Sequence, residues 1–215
     1  MSGATRVFAG LILVGAIGGW WMNRSPAAPV ALGVDGRPAT CIAPAGTVQP
    51  TPRHVRVPSG VSPFQIASAT VTPRAGLLIE ARVLSTQRYQ SGREATWSPL
   101  DLALGWDRMA DPAVYGPLGI SQSGRWFHYR WGPEGPPIPL DEIVASASNM
   151  HMIPADEAVA ARLLALSPGQ RVRLRGWLVD LSTPDGYRWS TSLRFDDSGN
   201  GACEIVYVCS VEVAP

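Results

Sequence analysis

His151 is one of three histidines in the chain and lies in the segment SASNMHMIP. A zinc site needs further histidine, cysteine or carboxylate ligands at short spacing, whereas the nearest neighbours here are Asn149, Met150 and Met152. Histidine and methionine together can bind copper in an exported protein, but core packing explains these methionines equally well. We therefore predict that His151 is a hydrogen-bonded side chain in a buried loop, and that the chain binds no metal and no cofactor.

A ligand-facing His151 is the main alternative. In this hypothesis, one pocket brings His151 and Asn149 together with Trp106 and Asp107, and the chain is a small-ligand-binding protein or an enzyme. A further alternative is an envelope protein that handles copper or zinc with His128 and His151. Both hypotheses require side chains that are distant in sequence to meet in the folded chain.

Two further motifs lack a residue that their chemistry requires. The segment GISQS, at 119–123, has serine in place of the last glycine of the nucleophile elbow G-x-S-x-G, and a predicted strand follows it instead of a helix. The segment DDSGNG, at 196–201, has the oxygen-bearing side chains of a calcium loop, but Tyr207 stands in place of the bidentate glutamate. We interpret it as a glycine-rich hairpin loop. The carboxylates of Asp107 and Asp111 are likewise expected to stabilise a turn.

The composition limits the kinds of function. A chain of 215 residues with 46% hydrophobic residues can form one domain with an anchor or tail. Its net charge of +1 argues against a nucleic-acid-binding protein, which would have a strongly basic surface. All 18 basic residues are arginine, so a lysine Schiff base and a Walker-type phosphate loop are excluded.

The N-terminal segment indicates a membrane anchor. Residues 7–22, VFAGLILVGAIGGWWM, are uncharged and apolar, and as a helix they span roughly 24 Å of the ~30 Å hydrocarbon layer. Trp20 and Trp21 fall where an interfacial aromatic belt would lie. A cleaved signal peptide is the alternative, but these tryptophans and Arg24 make a poor cleavage context. We predict an uncleaved single-pass anchor at 1–24 in the bacterial inner membrane, with the rest of the chain on the periplasmic side.

Two regions follow the predicted anchor. Residues 25–63 are rich in Pro, Ala, Gly and Val without helical or strand periodicity, so we expect an extended tether there, and a globular domain at 64–215. The domain is predicted to be α+β, with a mainly antiparallel sheet or a partly open small barrel and two or three short helices. Predicted strands are LLIEARVL, RWFHYRW, QRVRLRGWLVDL and CEIVYVCSVEV, with an Asp-Gly turn in TPDGYRW.

Three short segments are predicted to be helical. The clearest is PADEAVAARLLALSPG, which has acidic residues at its start and Pro-Gly at its end. In LDEIVASAS we expect Asp141 at the cap. In SPLDLALGW, Ser98 would cap one turn of helix that begins at Pro99.

The cysteines restrict the disulfide pairing. Cys203 and Cys209 lie on one predicted strand about 20 Å apart, so they cannot bridge each other. In an oxidising compartment Cys41 is expected to bridge one of them, and we favour Cys209 because a tether reaches the end of a strand more easily. This bridge would hold the tether against the sheet.

The order of five segments resembles a family of membrane-anchored bacterial proteins with no established activity. These segments are DLALGWDRMADP, GISQSGRWFHYRW, SNMHMIPA, GQRVRLRGWLVDL and RWSTSLRFDDSGNGACEIVYV. The resemblance extends from the region of Leu77 to the end of the chain and implies no catalytic residue. It places Cys203 in the shared pattern and leaves Cys41 and Cys209 particular to this chain, which agrees with a bridge between those two.

We therefore expect a non-enzymatic, envelope-facing protein, an accessory or structural subunit that contacts a partner membrane complex. The tryptophan content and the near-neutral charge favour an interaction surface. Such a surface should present tryptophans and arginines on one contiguous face, and Trp126, His128 and Trp131 are the candidates in RWFHYRW.

Overall fold

The computed structural model describes residues 30–33, 39–197, 199 and 201–215. The predicted anchor at 1–24 lies outside the described residues, as do Ser198 and Asn200 of the candidate calcium loop. Among the helices within the described ranges, none is long and apolar enough to cross a lipid bilayer.

The described residues form eleven strands and three short α-helices. The strands are β1 (Ala31–Leu32), β2 (Arg53–Val55), β3 (Phe64–Ile66), β4 (Ala69–Arg88), β5 (Leu100–Gly105), β6 (Ser121–Ser123), β7 (Trp126–His128), β8 (Ala147–Pro154), β9 (Arg171–Ser182), β10 (Arg188–Trp189) and β11 (Glu204–Val213). The helices are α1 (Pro112–Tyr115), α2 (Leu140–Ala145) and α3 (Glu157–Leu164), and 3-10 turns span Glu94–Thr96 and Asp107–Ala110.

Nine of these strands form one mixed, mainly antiparallel sheet. The strand order is β1-β3-β4-β5-β8-β11-β9-β10, β2 pairs with β4, and β4 also pairs with β9. Within the described ranges, β8 and β11 are the parallel pair and the other pairings are antiparallel. Strands β6 and β7 form a separate hairpin. The prediction of an α+β fold with a mainly antiparallel sheet is confirmed.

Two segments have a secondary structure different from the predicted one. Ser98 and Pro99 precede strand β5 instead of starting a helix, and SASNMHMIP is strand β8 rather than a loop. All six residues of β5 and seven of the eight residues of β8 are buried. Strands that are buried on both faces do not alternate between apolar and polar residues, so their sequences lack the period that identifies a strand.

The two faces of β5 and β8 have different surroundings. On one face, Leu102 and Met150 belong to the main core, to which β4, β9 and β11 also contribute apolar side chains. Because successive side chains of a strand point to opposite faces, Asp101, Asn149 and His151 lie on the other face. Polar residues therefore occupy the outer face of two buried strands.

Helix α3 closes one end of the main core. Asp156 is its N-cap, and its side chain accepts a hydrogen bond from the Val159 backbone N–H at 2.8 Å. Val159 and Leu163 pack into the main core. The helix predicted in PADEAVAARLLALSPG is confirmed. Helix α2 is also present, but Pro139 rather than Asp141 occupies its N-cap.

The described part of the predicted tether follows the surface of the sheet. The predicted bridge between Cys41 and Cys209 is confirmed, with a Cα–Cα distance of 5.3 Å. Trp177 Nε1 donates to the Ile42 carbonyl at 2.9 Å, and β2 pairs with β4. Side-chain, backbone and covalent contacts thus attach this segment to β4, β9 and β11.

Candidate functional site

A buried polar cluster lies on the outer face of β5 and β8. The strands pair in a register that places Asp101 opposite His151 and Ala103 opposite Asn149. Asp101 is completely buried, and His151 and Asn149 are 3% and 4% exposed. A buried carboxylate is expected to be stable only when it is paired with a charge and hydrogen-bonded, and each of these contacts is present.

The β6–β7 hairpin supplies the cationic partner of Asp101. Its two-residue turn is Gly124-Arg125, with φ values of 57° and 71°. From this turn Arg125 Nη1 donates to Asp101 Oδ1 at 2.7 Å, and Nη2 donates to the Ser98 carbonyl at 2.9 Å. The guanidinium carbon also lies 3.7 Å from the centre of the Tyr89 ring. The hairpin is therefore attached to the domain through its tip.

Arg125 occupies a backbone conformation that favours glycine. A non-glycine residue at φ 71° costs energy, and such residues persist where the surrounding contacts over-determine them. Tight hairpins with positive φ at both turn positions usually carry Asn-Gly or Gly-Gly. The ion pair with Asp101 accounts for an arginine at this place.

Asn149 connects the hairpin to Asp101 by hydrogen bonds. Its Nδ2 donates to Asp101 Oδ2 at 3.2 Å and to the Arg125 carbonyl at 3.0 Å, and its Oδ1 accepts from Gln122 Nε2 at 2.6 Å. Cys203 Sγ lies 3.8 Å from the same Arg125 carbonyl. Side chains from β5, β6, β8 and the residue before β11 thus hold the turn.

His151 lies next to Asp101 without a hydrogen bond to it. Its Nδ1 is 2.9 Å from Asp101 Oδ1, but the geometry does not form a hydrogen bond. The Trp189 ring covers the imidazole, with ring centroids 4.8 Å apart. The histidine is therefore enclosed between a strand neighbour and an aromatic ring.

An aspartate next to a buried histidine is also the arrangement of a general base. Here the carboxylate of Asp101 is paired with Arg125. The two neighbouring side chains that could act as nucleophiles, Ser98 and Cys203, are not activated by His151. The Ser98 hydroxyl donates to the Leu100 carbonyl at 3.3 Å, and burial, followed by the charge of Glu204, raises the pKa of the Cys203 thiol to about 12. The described residues contain no cluster of three or more His, Cys, Asp or Glu that could hold a metal ion. The contacts of the cluster position a hairpin.

A cavity of about 150 Å³ adjoins the polar cluster. Trp126, Phe127, Asn149 and Cys203 are among its lining residues. Glu204 follows Cys203 in the sequence and is buried. It accepts a hydrogen bond from Ser148, which also lines the cavity. Burial raises the pKa of Glu204 to about 8 although this hydrogen bond lowers it.

The structure brings together only some of the predicted site residues. Asn149 and His151 share the polar cluster, and Asn149 also lines the cavity with Trp126. Trp106 instead packs in the main core on the opposite face, and its Nε1 donates to the Ala145 carbonyl at 3.0 Å. Asp107 lies in a 3-10 turn and accepts a hydrogen bond from Thr51. The pocket of four residues expected for the ligand-binding hypothesis is therefore not formed.

The remaining candidates lie on or after the hairpin. His128 is exposed and its Nε2 lies 3.2 Å from Ser123 Oγ, while His151 is buried beneath Trp189. The two histidines are thus in different environments. Trp126 and Trp131 are 38% and 41% exposed.

The sequence reasoning missed Asp101, Arg125 and Gln122 as parts of this site. Two signals were available: an aspartate inside the apolar run LDLALG, and an arginine directly after glycine at a hairpin turn. Neither signal shows that Asp101 and Arg125 pair with each other, because these two residues meet only when the hairpin folds onto β5. Comparison with protein families, curated proteins and solved structures finds no match to this chain.

Proposed function

We propose that this chain is a membrane-tethered, envelope-facing, non-enzymatic protein, an accessory or structural subunit that contacts a partner membrane complex through the β6–β7 hairpin. The observation that carries the proposal is the asymmetry of this hairpin. Arg125 and Phe127 are half-buried against the domain, whereas Trp126 and His128 are exposed. The hairpin is held firmly on one side and leaves aromatic side chains free on the other.

The exposed side chains of β7 and of the residues that follow it are of the types found at protein interfaces. Trp131 stacks on Tyr129 with ring centroids 6.2 Å apart, and Arg130 between them is exposed. The Gly119 N–H donates to the Arg130 carbonyl at 2.8 Å, which continues the pairing of the hairpin beyond β7. Tryptophan, tyrosine and arginine are enriched at protein interfaces and among their energetically dominant residues. We infer a partner surface that is apolar and offers a carboxylate to Arg130.

Location in the bacterial inner membrane, with the domain on the periplasmic side, is part of the proposal. Disulfides persist in oxidising compartments, and the Cys41–Cys209 bridge fits such a compartment. The apolar run at 7–22 supplies the anchor in this proposal. The family resemblance supports the same arrangement.

We further propose that five strands close into a small, partly open barrel. The support is the pairing: β4 pairs with β5, β5 with β8, β8 with β11, β11 with β9, and β9 with β4. All five strands contribute side chains to the main core, and α3 lies between β8 and β9 in sequence. This connectivity is that of the oligonucleotide- and oligosaccharide-binding fold, a five-stranded Greek-key barrel. The likeness concerns the fold and assigns no ligand.

The test is the migration of the full chain in native gels of gently solubilised membranes, with identification by mass spectrometry. The chain should migrate with a large assembly, and the double variant W126S/W131S should release it. V213S is the matched control, because Val213 is an exposed apolar residue outside the hairpin, and it should leave the assembly intact. Equal unfolding temperatures of the variants and the unmodified chain would show that folding is unaffected.

Migration of the unmodified chain alone, near its own mass of 22.9 kDa plus detergent, would contradict the proposal. Release by V213S to the same extent as by W126S/W131S would contradict the assignment of the hairpin as the contact surface.

A further inference from the structure

The cavity of about 150 Å³ beside the polar cluster is lined by three aromatic side chains of the hairpin segment. These are Trp126, Phe127 and Tyr129, and the Phe127 and Tyr129 rings are inclined at 48° to each other with centroids 5.3 Å apart. Ile143 and Val144 of α2 also line the cavity. It is open to solvent on one side, and Trp126 is 38% exposed. A molecule that enters from solvent can therefore reach an aromatic side chain.

The polar part of the lining has a negative character. Asp197 is half-buried and lines the cavity, and its Oδ2 accepts a hydrogen bond from Ser192 Oγ at 2.7 Å. Burial, followed by the charges of neighbouring carboxylates that include Asp197, raises the pKa of the thiol of Cys203, another lining residue. The same carboxylate charges favour a cation in the cavity over an anion.

A cation without N–H groups suits this cavity best. An ammonium or guanidinium group that leaves water needs several hydrogen-bond acceptors. The Oδ1 of Asn149 already accepts from Gln122 Nε2 at 2.6 Å, and the Ser148 hydroxyl donates to Glu204. A quaternary ammonium group has no N–H to satisfy, and aromatic rings bind it through cation–π contacts. Aromatic walls beside one carboxylate match this class of cation.

We propose that the cavity binds a quaternary ammonium group through the rings of Trp126, Phe127 and Tyr129 and the charge of Asp197. A cavity of about 150 Å³ can hold one benzene molecule, and a trimethylammonium group has fewer non-hydrogen atoms than benzene. The chemistry is shared by free choline and by the headgroup of a choline lipid. The inference does not rest on the proposed contact with a membrane complex, and its test uses the purified chain.

The test compares choline with neohexyl alcohol, in which a carbon atom replaces the nitrogen, so that the shape is kept and the charge is lost. Binding to the full chain is measured as the rise in unfolding temperature with probe concentration, at an ionic strength equalised with sodium chloride. Choline should bind about tenfold more tightly than the alcohol, because cation–π contacts in a partly desolvated site have an effect of this order. Glycerophosphocholine distinguishes the two sources: a site for a lipid headgroup binds it as well as choline, whereas a site for the free cation binds choline alone.

Two matched pairs of variants locate the site. W126L removes a lining ring and should reduce the preference for choline, whereas W131L should keep it, because Trp131 is 41% exposed on the same segment but is not among the described lining residues. D197N should also reduce the preference, whereas D196N should keep it, because Asp196 pairs with Arg194 outside the described lining. Neohexyl alcohol should bind D197N as it binds the unmodified chain.

The proposal is overturned if choline does not bind the unmodified chain or binds no more tightly than neohexyl alcohol. It is also overturned if W131L and D196N reduce the preference for choline as much as W126L and D197N do. Because D197N leaves the hairpin unchanged, it tests the site even where W126L alters the stability of the hairpin.

Discussion

Replacing Arg125 with methionine should destabilise the domain by about 3–5 kcal/mol, because a buried carboxylate loses its charged partner. The Asp101 side chain is 0% exposed and the Arg125 side chain 16%, and the contact between them is 2.7 Å long. His151 Nδ1 lies 2.9 Å from the same carboxylate oxygen, but it makes no hydrogen bond there. It therefore does not replace the guanidinium.

The expected magnitude follows from the contacts that Arg125 makes. A hydrogen bond to a charged group contributes about 1.5–3 kcal/mol, and a partly buried cation–π contact such as that with Tyr89 adds about 0.5–2 kcal/mol. Methionine keeps the unfavourable positive φ, so relief of strain does not offset these losses. Glycine at this position would relieve the backbone strain of the positive φ, so R125G should be about 1 kcal/mol more stable than R125A.

Urea unfolding followed by tryptophan fluorescence measures these differences. R130M is the matched control, since Arg130 is exposed on the same segment and its loss should change the unfolding free energy by less than about 0.5 kcal/mol. The double variant D101N/R125M removes both charges and should be within about 1–2 kcal/mol of the unmodified chain. A loss below about 1 kcal/mol for R125M, or additive losses in the double variant, would refute the role assigned to this ion pair.

Three other predictions concern stability. The folded-state pKa of Glu204, about 8, lies above its ordinary value of 4.5, so the folded chain keeps a proton that the unfolded chain loses between these pH values. The unfolding free energy should therefore fall as the pH rises from 4.5 to about 8. In E204Q this decrease should be smaller, as measured by urea unfolding at these two pH values. The double variant C41S/C209S should lose roughly 2–5 kcal/mol in the same assay, because the bridge closes a long loop, whereas C203S should not reproduce that loss. D156A removes the N-cap of α3 and should cost about 1 kcal/mol, measured as a shift of the urea midpoint at unchanged slope.

Elements with one polar side were predictable from the sequence. Strand β9 alternates exposed arginines with buried Val172 and Leu174 in its first half, and α3 has both its capping residue and its stop signal. Asp185-Gly186 forms the predicted turn between β9 and β10, with Gly186 at φ 87°. Strands β5 and β8 were not predictable because both of their faces are buried.

The candidate site was predictable only in part for the same physical reason. His151 and Asn149 stand out because they are polar residues in an apolar segment, and a polar residue in such a place needs a partner. The identity of that partner depends on the tip of a hairpin that crosses onto β5. Trp106 was expected in one pocket with His151, but it packs in the main core. The apolar run before it does not alternate, so the sequence does not show which of its side chains point to the core.

The disulfide between Cys41 and Cys209 also determines how the domain responds to mechanical tension. Residues 42–208 form one covalent loop, so a pull between the segment before Cys41 and the end of β11 passes through the sulfur atoms. The bridge relieves the residues between the two cysteines of most of that load, whereas the pairing of residues 210–213 with β9 lies beyond the bridge and still carries part of it. A pull between the same segment and the exposed hairpin follows a different path, through the contacts of Arg125 and the sheet. The bridge therefore limits extension of the chain between the two cysteines, whereas tension applied at the hairpin acts directly on the buried ion pair between Arg125 and Asp101.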